Sequence, residues 1–104
     1  MIAVGWNNGA PNNRTGAGYG IRIAPKDRDA HFQQEWPFVV IELEGDGEVK
    51  VSLSDSFWRG CTELRSARIG KWLLRQGLAP WPTNSPPHLK LKPIRDRRFK
   101  LSYP

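Results

Sequence analysis

Cysteine is almost missing. Cys61 stands alone in 104 residues, so no internal disulfide can brace the fold. It falls in an apolar stretch with helical spacing, where a free cysteine is expected to act as a small buried hydrophobe. Zinc ligation lacks its donors, because His31 and His88 lie far apart in sequence and no His/Cys pair has ligand spacing. No window approaches the ~18 consecutive apolar residues of a membrane span. The opening MIAVGWNNG has neither the basic n-region nor the long apolar h-region of a secretory signal. These shortages lead to the expectation of a cytoplasmic protein in a reducing compartment, with no cofactor and no membrane partner.

Acidic residues are scarce in one half only. Residues 1–58 carry five Lys/Arg against eight Asp/Glu, a net −3. Residues 59–104 carry eleven Lys/Arg against Glu63 and Asp96 alone, a net +9 within an overall +6. Such asymmetry points to an electropositive surface for a polyanion or an acidic protein. Aromatics are plentiful by contrast, with five Trp, four Phe and two Tyr, which argues against disorder despite nine Pro and ten Gly. Trp58 and Trp72 read as core. Trp36 and Trp81, each just before a proline, suit either lids over the core or stacking platforms. The length fits one domain, residues 1–104, long enough to bury a modest core.

Along the chain, MIAVGW, GYGIRIA, FVVIELE and EVKVSLS read as strands, the second and fourth by alternation of apolar residues. Gly45-Asp46-Gly47 between the last two is a hairpin signal, since Asp-Gly readily takes the positive φ of a tight turn. The intervening KDRDAHFQQEWP reads as a loop or a short helical turn. Ser54, Asp55 and Ser56 offer cap oxygens before FWRGCTELRSARIGKWLLRQG, and Gly77 followed by Pro80 ends that segment. One main helix at about 56–76 is therefore expected. HLKLK and RRFKLSY alternate apolar with basic or polar residues and complete the strands. The expected fold class is α+β: a small antiparallel sheet of four to six strands with that helix packed on one face.

Two stretches carry the charge. On a helical wheel Arg65 and Arg68 fall within the apolar arc of the expected helix, with Arg75 at its edge and Lys71 just outside. A guanidinium in such a place needs a carboxylate, an exit to water, or a phosphate ligand. Lys90, Lys92, Arg95, Arg97, Arg98 and Lys100 fall within eleven residues, opposed only by Asp96. Alternation with Leu89, Leu91, Phe99 and Leu101 places most of these cations on one sheet face, where a two-stranded ribbon can follow a phosphate backbone. Edge protection and plain solvation account for the same pattern.

NNRTGAGYG can be read as an anion-binding nest, but phosphate loops lead into a helix, and this one leads into a strand. It is read as a corner, with Gly16, Gly18 and Gly20 leaving one strand face bare for an aromatic ring or marking a bulge. Asp27, Asp29, His31 and Glu35 form the densest set for metal or acid–base chemistry, against a solvated loop with local ion pairs. Glu42, Glu44 and Lys50 do not have the spacing of a strand-borne nuclease centre. The leading expectation is a non-enzymatic module contacting nucleic acid through the helix cations and the C-terminal strands. The alternative is an accessory or inhibitor module docking on an acidic protein. A small metal-dependent enzyme, or a nucleotide binder using Gly16–Gly20, stands third. Exposed strand edges permit a homodimer without selecting one.

Overall fold

The computed structural model describes residues 1–103. Seven strands and three short helices follow in the order β1 (Ile2–Asn7), β2 (Tyr19–Ile23), α1 (Pro25–His31), β3 (Phe38–Leu43), β4 (Glu48–Ser52), α2 (Asp55–Arg59), β5 (Glu63–Arg65), α3 (Ala67–Arg75), β6 (His88–Arg95) and β7 (Arg98–Ser102). All seven strands form one sheet, ordered β4-β3-β7-β6-β1-β2-β5. Its two terminal strands, β4 and β5, curl round to within 8 Å (Cα–Cα) of each other, so the sheet is nearly closed into a barrel. Every pairing is antiparallel except β3 with β7, which is parallel.

This overturns the expectation of a four-to-six-stranded antiparallel sheet under one main helix. The ends of that helix were legible, and its middle was not. α2 starts at Asp55 after Ser54, though the Ser54 hydroxyl bonds Ser56 rather than capping the helix, and Gly77 (φ 73°) follows the end of α3. Between them Gly60 ends the first helix, and Thr62 is buried with its hydroxyl donating to the Ile23 carbonyl. Residues 63–65 then pair with β2, Leu64 opposite Ile21. Ser66 opens a fresh helix by accepting the Arg68 N–H at 3.1 Å. A β-branched residue and a second cap inside twenty residues broke a pattern that helical periodicity alone had joined.

The expected strands and the hairpin at 45–47 are present. Val49 and Val51 of β4 stand opposite Ile41 and Val39 of β3. The parallel junction arises because the β6–β7 hairpin pairs with β1 on one side and brings β7 beside β3 on the other.

Inside the barrel lie Ala3, Ile21, Ile23, Val39, Ile41, Leu43, Val51, Leu64, Leu89, Leu91, Phe99 and Leu101. α3 covers one end, burying Ile69, Trp72 and Leu73 completely; Trp72 Nε1 donates to the Glu44 carbonyl at 2.9 Å. At the other end Phe32, just after α1, stacks on Phe99 at 4.6 Å and meets Phe57 of α2 at 5.2 Å. Each such large buried side chain contributes ~1.5–3 kcal/mol. Trp72 is thus core as expected, whereas Trp58 is only half-buried at its edge and Cys61 is exposed rather than buried.

The glycine-rich stretch is a corner. Asn12 and Thr15 side chains accept the N–H groups of Arg14, Thr15 and Ala17, and the Asn12 carbonyl accepts that of Gly16. The N–H groups from Arg14 to Ala17 are therefore engaged within the loop. Gly16 instead lies directly on Gly70 of α3: a Cβ on Gly70 would fall 2.1 Å from the Gly16 carbonyl oxygen. Two bare backbones in contact let the helix settle over the barrel end.

Candidate nucleic-acid interface

In–out alternation in β7 and in β6 as far as Lys92, with a register shift between Pro93 and Arg95, builds a basic outer wall. Leu89, Leu91, Phe99 and Leu101 point inward, and Lys90, Lys92, Arg95 and Lys100 are exposed. Lys92 stands directly opposite Lys100, and Lys90 opposite Ser102. Like charges in directly opposed positions destabilise a sheet. Among the described residues no carboxylate lies within 4.0 Å of Lys90, Lys92, Arg95 or Lys100. Glu42 is the register partner of Lys100 on β3, but its carboxylate is taken by Arg98 at 3.0 Å.

Arg98 is the neutralised member of this wall, bonding Glu48 at 2.7 Å as well as Glu42. Its hydrogen bond and charge hold the Glu48 carboxyl below the ordinary 4.5. The bridge therefore persists above that value and is lost as pH falls through the lowered one. The same bonds, to Glu48 first and Glu42 second, raise the Arg98 guanidinium further. Arg97, at the hairpin turn, lies 3.7 Å from Asp96 and 4.8 Å above the Phe38 ring, which Lys50 also approaches at 4.2 Å.

The cations once assigned to the helix occupy other ground. Arg68 donates to the Asp46 carbonyl at 2.9 Å and Arg75 to the Asp46 carboxylate at 2.5 Å, tying α3 to the β3–β4 turn. Lys71 is exposed on α3 with no such partner among the described residues. Arg65 belongs to β5, bonded to Glu63 at 3.0 Å. Arg68 and Arg75 are thus engaged at the β3–β4 turn, while Arg65 lies on the outer face of the sheet. Arg59 has no i,i+4 partner in Glu63, whose carboxylate faces Arg22 and Arg65.

One feature escaped sequence reasoning, although Gly20 was its signal. The bare outer face of Gly20 sits between Trp6 on β1 and Arg65 on β5, its register partners on either side. Across it the Arg65 guanidinium reaches to 4.9 Å from the centre of the Trp6 ring. A groove of about 340 Å³ opens beside this pair.

Asp27, Asp29 and His31 lie on α1, where Asp29 pairs with Arg28 at 3.0 Å. Among the described residues no three His, Cys, Asp or Glu side chains gather as a metal site. No helix there is long and apolar enough to cross a membrane. Comparison of the chain with protein-family models, curated proteins and solved structures finds no match.

Proposed function

We propose that the outer wall of β6 and β7 binds the phosphate backbone of nucleic acid, with slight sequence selectivity. The observation that carries this reading is the Lys92–Lys100 pair, flanked by Lys90 and Arg95 and free of carboxylate partners among the described residues. An opposed lysine pair costs stability, and an anion laid across it would reverse that cost. Backbone contacts of this kind position a strand without reading its bases.

Fluorescence anisotropy with labelled DNA and RNA across ~50–200 mM salt tests the reading. Contacts to three or four phosphates give a log–log slope near −3. The double substitution Lys92→Glu/Lys100→Glu should flatten that slope by about 2 and weaken low-salt binding at least ~10-fold. A wild-type protein that binds nothing at low salt, or a double variant that binds as tightly, overturns it.

A second reading draws on Ile2 and Ile94, which are 59% and 42% exposed beside the lysines. Lysines interleaved with exposed aliphatics suit an acidic protein segment. A stoichiometric protein partner that survives nuclease treatment would favour it.

A further inference from the structure

The groove beside Trp6 and Arg65 has the chemistry of a seat for one unpaired base. Its lining includes Trp6, Asn8, Gly18, Tyr19, Arg65 and Ser66. At about 340 Å³ it stands at the lower end of the ~300–1,000 Å³ of small-ligand pockets, the right scale for a base and its sugar. Arg65 is held from two sides, by the Trp6 ring at 4.9 Å and by Glu63 Oε1 at 3.0 Å, yet its side chain remains 56% exposed. A guanidinium so fixed offers a planar cationic surface at little further loss of rotamer freedom, and aromatic bases stack on such planes.

Polar groups at the rim match a base edge. Asn8 Oδ1 accepts the Ala10 N–H, while the Asn8 amide nitrogen donates no hydrogen bond among the described residues. Ser66 Oγ accepts the Arg68 N–H and keeps its own proton to donate. Burial raises the Tyr19 phenol above its ordinary 10.0, so it keeps its proton and donates a hydrogen bond to Asn13 Oδ1.

The groove and the lysine wall share one outer surface. Ile2 of β1 stands opposite Lys90, and Trp6 lies four residues further along the same strand, ~14 Å at the usual rise. A strand whose phosphates cross the wall can therefore turn a base into the groove within a few nucleotides. We infer that the Trp6–Arg65 groove takes an unstacked base of single-stranded nucleic acid held at Lys90, Lys92 and Lys100. This inference rests on the reading above and adds a preference that the wall alone does not supply, because bases within a duplex are stacked and unavailable.

The test compares a labelled single strand with a duplex of the same sequence, using wild type, Arg65→Lys and Trp6→Phe. Wild type should favour the single strand. Arg65→Lys keeps the charge and removes the planar surface, so it should lower single-strand affinity ~10-fold and leave duplex affinity and salt slope unchanged. Trp6→Phe should act in the same direction and more weakly, with melting curves showing that both variants fold. If wild type binds both forms alike, or Arg65→Lys binds the single strand as wild type does, the groove has no such role while the wall reading stands. If wild type binds neither form, both fall together.

Discussion

The cations of α3 and those of β6–β7 come from the same basic half of the chain and have come to opposite situations. Arg68 and Arg75 reach back to Asp46, a residue of the acidic half, and their charge ties a helix to a hairpin turn. Lys90, Lys92 and Lys100 have inward neighbours to anchor their strands, and nothing acidic among the described residues to hold their ammonium groups. Charge counted along a sequence does not distinguish a structural cation from a free one; the side-chain pairing in the fold does. Arg98 makes the point within a single wall: its side chain holds both Glu42 and Glu48, which leaves Lys100, the register partner of Glu42, without a carboxylate, while Lys92 faces another lysine.

The largest expected effect bears on the α3 side of this contrast. Gly70→Ala drives a methyl group into the Gly16 backbone, and neither backbone can yield without moving α3. A loss of about 3 kcal/mol in urea unfolding is expected, with α3 displaced from Asp46. Next comes Lys92→Glu. It converts an opposed like-charge pair into an opposite one, so stability should rise by ~0.2–1 kcal/mol while nucleic-acid affinity falls. A variant that gained stability and kept its affinity would remove the wall from the binding surface. The smallest effect belongs to Asp46→Asn, which keeps a turn-compatible residue and releases Arg75. This exposed pair is worth no more than ~1 kcal/mol, and binding should change less than ~2-fold. A clear gain in affinity instead would show that the α3 cations belong to the interface once freed.

Much of the architecture was legible wherever local chemistry acted alone. Alternation in EVKVSLS and the Asp-Gly turn needed no distant partner, and β3 and β4 formed as read. FWRGCTELRSARIG failed because two signals overlapped there. Apolar residues at helical spacing masked a three-residue strand whose pairing with β2 is settled more than forty residues upstream. The same blindness affected the site. Lys90, Lys92 and Lys100 were readable as one face by period-2 alternation, whereas Trp6 and Arg65 are fifty-nine positions apart and meet only because Gly20 lies between them. Helical periodicity had assigned Arg65 to a helix face. Once β5 exists, that residue belongs to the outer surface of a sheet.

The gap between β4 and β5 has a consequence of its own. A fully closed cylinder gives no strand a free side, but here each of these two is joined to the sheet along one margin only. β5 is three residues long, and β4 turns Glu48, Lys50 and Ser52 to water, so the raw margin is short and charged enough to discourage stacking with other copies. Opening should accordingly begin there, with amide protons along this slit trading with solvent well before those of β1, β6 and β7.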